Sequence, residues 1–231
     1  MSQTTSDRAD PAPRPENVDP SLPRRLVGAS RIVVGLLVLA SIVTQIVDQS
    51  INDAFIPGEY FSYFTIQTSV MNVVVLIVAG VIALRRRRDS ELLTTLRVSI
   101  LAYAVVTGVV YNVLLRDIVS DGFVGIQWPN EVIHVWVPIF IALDFLLAPG
   151  SHRLGWNRLF FAVVYPLAWV ALTLVRGAAT GWYPYPFLIP DGPDGALGVF
   201  GYVLGIAGFI VVIASIGIAV SRIGRRGARA A

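Results

Sequence analysis

The chain has no cysteine, which excludes disulfides, zinc–thiolate centres and thiol nucleophiles. It has no lysine either, so all 18 basic side chains are arginine. That usage fits codon bias in a GC-rich, bacterial genome and carries no mechanism. Histidine occurs only as His134 and His152, which leaves no second imidazole or thiolate near His134 to share a metal ion. No metal and no cofactor is expected. Charge of either sign is scarce, at 14% of 231 residues against 55% hydrophobic. A soluble core does not need that balance.

Long apolar runs are what the chain has in plenty. They cover about 27–47, 61–84, 98–115, 132–148, 159–175 and 197–220, and each approaches or reaches the roughly 20 residues a helix needs to cross hydrocarbon. The expected fold is therefore all-α: a polytopic bundle of six transmembrane helices spanning residues 26–221. The polar N-terminal stretch, residues 1–25, is rich in proline and aspartate. It lacks the apolar core of a secretory signal and reads as a disordered cytoplasmic tail. Residues 222–231 form a short basic tail.

Arginine sets the orientation. Arg8, Arg14, Arg24 and Arg25 precede the first run, and Arg85, Arg86, Arg87, Arg88 and Arg97 lie between the second and third. Arg153 and Arg158 lie between the fourth and fifth, while Arg222, Arg225, Arg226 and Arg229 follow the sixth. These segments alternate along the chain and so share one side. The opposite loops hold only Arg116 and Arg176, with Asp48, Asp53, Glu59, Asp117, Asp121, Asp191 and Asp194. The topology expected is a multi-pass protein of the cell membrane with both termini cytoplasmic. The run of four arginines is then a stop signal that touches anionic membrane lipid; a nucleic-acid partner is not expected.

Polar side chains at membrane depth are costly, so their positions point to function. In the second run Ser62, Thr65, Ser69 and Asn72 recur every three or four residues, with Thr68 alongside. That spacing lines one helix face. Such a stripe serves either as helix–helix glue or as a site. In the fourth run Asn130 and His134 share a face. The second and fourth runs enter from the same side, and the helical rise puts Thr65 and His134 roughly 4–8 Å below that boundary. A hydroxyl and an imidazole at one level are the minimum for base-assisted nucleophilic catalysis. His134 also has a purely structural reading.

The loop after the fifth run, from Arg176, is too rich in glycine and proline for regular structure. Trp182, Tyr183, Tyr185 and Phe187 suit a membrane interface, or the loop caps the polar cavity with Arg176, Tyr183 and Tyr185 as donors. Asp144 lies about 15 Å along the helix from His134, too far to orient it. A pairing with Arg31 or Arg97 is expected instead. Pro138 and Pro166 are expected to kink their helices.

Three segments together, YFSYFT at 60–65, NEVIHVWVP at 130–138 and TGWYPYPF at 180–187, resemble the androgen-induced and androgen-dependent family of six-span integral membrane hydrolases, in its bacterial branch. The resemblance extends over roughly residues 27–220. It implies a threonine nucleophile at Thr65, or at Thr68 if the short motif is shifted by three, and a catalytic histidine at His134, with an acid ten residues on at Asp144. Animal members hydrolyse fatty acid esters of hydroxy fatty acids, so the implied activity is lipid-ester hydrolysis and the implied partner a lipid or fatty acid ester. Asn130, Ser69, Asn72, Arg176, Tyr183 and Tyr185 are the supporting candidates. This chain departs from the animal pattern in its longer N-terminal tail, its four-arginine loop and much of its apolar sequence. A small transporter or channel-like protein, and a non-catalytic protein of the same fold, are the rival readings. No internal repeat or chain of central charges favours transport.

Overall fold

The computed structural model describes residues 20–116 and 123–223. The candidate tail residues Arg8, Arg14, Arg225, Arg226 and Arg229, and the loop acids Asp117 and Asp121, lie outside them. Among the described residues, six helices are long and apolar enough to cross a membrane: span one Leu22–Ile51, span two Phe64–Arg85, span three Glu91–Leu115, span four Trp128–Leu147, span five Trp156–Thr180 and span six Gly195–Ile223. Most outrun their apolar windows, because a helix continues past the hydrocarbon into polar flanks. Span two starts later than its hydrophobicity suggests. A helical turn, Pro57–Tyr60, and a bend at Phe61 to Tyr63 come first.

Spans one and two form the tightest pair. Gly28 and Gly80 permit it, since a Cβ on Gly80 would stand 2.6 Å from the Gly28 carbonyl oxygen. Close backbone approach at small residues is how helices gain packing energy in lipid, which offers no hydrophobic drive of its own. Span three is the hub and touches spans two, four, five and six, while span one also packs on span four. Spans two and four therefore flank the same two neighbours. Ser90 caps span three, accepting from the Leu93 N–H at 3.1 Å.

Arg24 and Arg25 belong to the first turns of span one rather than to the preceding tail. Arg24 is also more than an orientation signal. It donates to Asp89 at 2.5 Å and to the carbonyls of Arg86 and Pro149, each at 2.7 Å. Arg97 bridges Asp89 at 2.6 Å and Asp144 at 2.9 Å, and Arg31 donates to Asp144 at 2.9 Å. Asp144 thus pairs with both expected arginines. All five side chains are at most 6% exposed. The chain of pairs returns to span one, tying spans one, three and four to the loop after span two.

Two π-turns interrupt the helices at the opposite end, Tyr111–Leu115 in span three and Val132–Trp136 in span four. The second has a local cause. Pro138 has no N–H to give the His134 carbonyl four residues back, and its ring crowds that oxygen. Asn112 of span three supplies a substitute donor at 3.3 Å. Gly108 makes room, because a Cβ there would stand 3.1 Å from the same oxygen.

Candidate active site

Thr65 is the second residue of span two, in the first turn, where backbone N–H groups lack helical acceptors. Side-chain hydrogen bonds hold the segment ahead of it. Trp169 donates to the Ser62 carbonyl at 3.0 Å, Gln67 donates to the Phe61 carbonyl at 2.8 Å, and Tyr165 donates to Gln67 Oε1 at 2.7 Å. The loop after span five folds back over this end of the bundle and buries Tyr185 and Leu188. The Tyr185 ring lies parallel to Phe187 and edge-on to Tyr63. Its hydroxyl comes within 3.4 Å of both the Thr65 N–H, which donates to it, and Thr65 Oγ1. Burial pushes the Tyr185 phenol up to about 12, so it stays a neutral donor at physiological pH.

His134 lies within the span-four π-turn and is buried. Its Nδ1 is 2.9 Å from the Asn130 carbonyl oxygen. A carbonyl only accepts, so Nδ1 carries the proton and Nε2 keeps the lone pair. Tyr111 stacks on the imidazole at 3.9 Å between centroids. The Asn130 amide in turn donates to the Tyr111 hydroxyl. Arg116, ion-paired with Glu131 at 2.9 Å, lies over the other ring of this stack, 5.4 Å from the Tyr111 centroid.

Thr65 and His134 line one cavity of about 580 Å³, together with Asn130, Tyr185, Tyr111 and Glu59. No hydrogen bond joins them directly: the threonine hydroxyl meets Tyr185, and the imidazole meets Asn130. Gln45, Gln49 and Tyr60 also face this vestibule, with Tyr60 donating to Gln45 at 2.9 Å. A narrower apolar cleft opens from Thr65 and Tyr185 among spans three, five and six.

The other candidates fall elsewhere. Thr68 donates to the Thr65 carbonyl at 3.1 Å and is 1% exposed, so its hydroxyl is committed to the helix. Ser69 and Asn72 are buried further along span two, and Asn72 Oδ1 has no partner. Arg176 donates to the Gly58 carbonyl at 3.0 Å and to the Ser62 hydroxyl, and lies 4.6 Å over the Trp182 ring. Tyr183 packs on Gly177 of span five. Neither lines the vestibule. His152 sits away from it, its backbone N–H donating to Thr94 at 2.9 Å. Asp144 is held in the ion-pair network and does not touch His134.

Sequence reasoning missed Tyr111, Gln45, Gln49, Tyr60 and Glu59. The glutamines are four apart on span one, a spacing that marks a shared polar face. Tyr111 carried no comparable signal. Compared with family models, with curated proteins and with solved structures, the chain matches none.

Proposed function

We propose that the protein is an intramembrane lipid-ester hydrolase with Thr65 as nucleophile and His134 as general base. One observation carries the reading: a buried threonine hydroxyl and an imidazole whose free nitrogen is Nε2 line the same cavity. The resemblance to the androgen-induced and androgen-dependent hydrolases points to the same two residues. With both termini read as cytoplasmic from the arginine distribution, the vestibule would open toward the outer leaflet of the cell membrane, and a lipid or fatty acid ester would reach it laterally.

The chemistry balances on these residues. The cycle requires Thr65 Oγ1 and His134 Nε2 to come within hydrogen-bond reach, directly or through a water, when substrate binds, because catalytic contacts of this kind tighten in the substrate complex. Nε2 takes the Thr65 proton as Oγ1 bonds to the ester carbonyl carbon. The ester C–O bond then breaks, and the imidazolium returns the proton to the departing alcohol. A water, deprotonated by Nε2, then attacks the acyl carbon; the C–Oγ1 bond breaks, the imidazolium returns the proton to Thr65 Oγ1, and the acid is released. The Asn130 carbonyl holds the imidazole in the tautomer this cycle needs, a task given to a carboxylate in Ser-His-Asp triads. Tyr185 O–H and the Thr65 N–H, which lie beside Thr65 Oγ1, are the donors assigned to the oxyanion in this scheme.

The test is covalent labelling of the purified protein by a fluorophosphonate. Labelling is expected in the wild type and lost in both Thr65→Ala and His134→Ala. Full labelling of Thr65→Ala would remove the nucleophile from the scheme.

A further inference from the structure

The apolar cleft shares Thr65, Tyr111, Leu115 and Tyr185 with the vestibule, so the two spaces join at the nucleophile. Beyond that junction its walls are Val106, Val170, Val203, Ile206, Ala207 and Ile210, and no charged side chain lines it. We infer that this cleft holds the acyl chain of the ester whose carbonyl stands at Thr65, and that its closed end selects the chain's length. The inference rests on the hydrolase reading above.

Continuity supplies the first support: a chain entering the cleft leaves its carboxyl carbon at Thr65 and its alcohol in the polar vestibule among Gln45, Gln49 and Glu59. Dimensions supply the second. Val106 and Ile210 are the lining residues furthest along spans three and six from the Thr65 end, and they are 2% and 3% exposed. From Val203 to Ile210 the helical rise gives a depth of about 10 Å. The cleft holds about 80 Å³, against the roughly 10–15 Å³ that one water needs in a cavity. That is room for a chain of medium length. Selection follows from physics rather than from affinity. A methylene moved from bilayer to cleft gains little, because lipid tails are as apolar as the walls, whereas a methylene too many has to displace a packed side chain.

The experiment is kcat/KM of the purified protein for p-nitrophenyl butyrate, octanoate and palmitate. Octanoate is expected to be favoured. Ala207→Phe, which fills the cleft, should cut octanoate hydrolysis roughly tenfold or more relative to butyrate. Ala207→Leu should move the ratio in the same direction by less, which guards against misfolding of the larger substitution. Ile210→Ala, which deepens the cleft, should move the preference toward palmitate. Ratios unchanged in all three variants would overturn the inference.

If the wild type hydrolyses none of these esters, the hydrolase reading fails, and the cleft is judged by binding alone. A photoreactive octanoic acid with its reactive group at the chain terminus is then expected to label the cleft-lining Val203, Ile206, Ala207 or Ile210 in both wild type and Thr65→Ala. That label should be lost in Ala207→Phe. Label that persists in Ala207→Phe, or falls only on exposed lipid-facing positions such as Leu204 and Val212, would mean that bilayer lipid alone meets this region and would overturn the assignment.

Discussion

The imidazole of His134 lies almost flat against the ring of Tyr111, with centroids 3.9 Å apart and planes inclined by 21°. Each residue sits in a π-turn of its own helix. The widened turns bring a span-three ring and a span-four ring face to face, in keeping with the frequent occurrence of π-turns at functional sites. Stacking fixes the plane of the imidazole, and the Asn130 carbonyl fixes its tautomer. Together they leave Nε2 as the basic nitrogen.

Removing the stack should therefore cost more than removing the Tyr111 hydroxyl. Tyr111→Ala is expected to lower kcat of ester hydrolysis by roughly 10–100-fold, about 1.4–2.8 kcal/mol of barrier, through lost orientation of His134. Tyr111→Phe keeps the ring and loses only the acceptor of the Asn130 amide, so a drop of a few fold is expected. Steady-state kinetics on one ester decide it, and equal losses in the two variants would refute the stacking role.

Tyr185 makes a separate prediction. Loss of its hydroxyl in Tyr185→Phe should reduce kcat by roughly 10²-fold, as expected for one oxyanion donor, while leaving KM nearly unchanged. The sign of its pH dependence follows from burial: the raised phenol is neutral, and able to donate, at any pH below about 12. An alkaline fall in kcat between pH 8 and pH 10, if seen, must persist unchanged in Tyr185→Phe.

Thr68 and Thr65 are separated by one comparison. The Thr68 hydroxyl is spent on the Thr65 carbonyl, so Thr68→Val should retain fluorophosphonate labelling and most activity, at a stability cost of about 1 kcal/mol. Loss of labelling there, with labelling kept in Thr65→Ala, would shift the nucleophile by one turn.

The ion-pair network predicts a stability effect remote from the site. Asp144→Asn leaves Arg31 and Arg97 buried without their shared carboxylate, a loss of about 3–5 kcal/mol by analogy with buried pairs elsewhere. The double variant Arg31→Met, Asp144→Leu removes one charge of each sign and should be less destabilised than Asp144→Asn. Thermal unfolding in detergent measures both.

Much of this was legible in the sequence. The six apolar runs became six helices because a stretch of that length with almost no charge satisfies its backbone internally and needs no partner to be recognised. Of the expected stripe, Thr65, Ser69 and Asn72, with Thr68 alongside, are buried on span two as the spacing implies, whereas Ser62 lies half-buried in the bend ahead of the helix, where the helical spacing does not hold. The link between His134 and Asn130 follows from an interval of four, although it runs through the Asn130 backbone carbonyl rather than the side chain. Asp144 was rightly assigned to arginine, since a lone acid at membrane depth needs a counter-charge.

What no local pattern contained was which helices stand together. Tyr111 joins His134 across spans three and four, and Tyr185 reaches Thr65 from 120 residues away. Arg24 turned from a tail and orientation signal into a member of a buried network. The sequence by itself determined the helices, their number and the polar face of each, because hydrophobic periodicity is a property of one segment. Only the tertiary structure decided which of Tyr183, Tyr185 and Arg176 meets the threonine, and that Thr65 and His134 line one cavity. Those outcomes depend on Gly28 against Gly80, on Gly108 beside Pro138, and on a loop folded back over the bundle: close approaches between distant segments, whose energy exists only once the helices have packed.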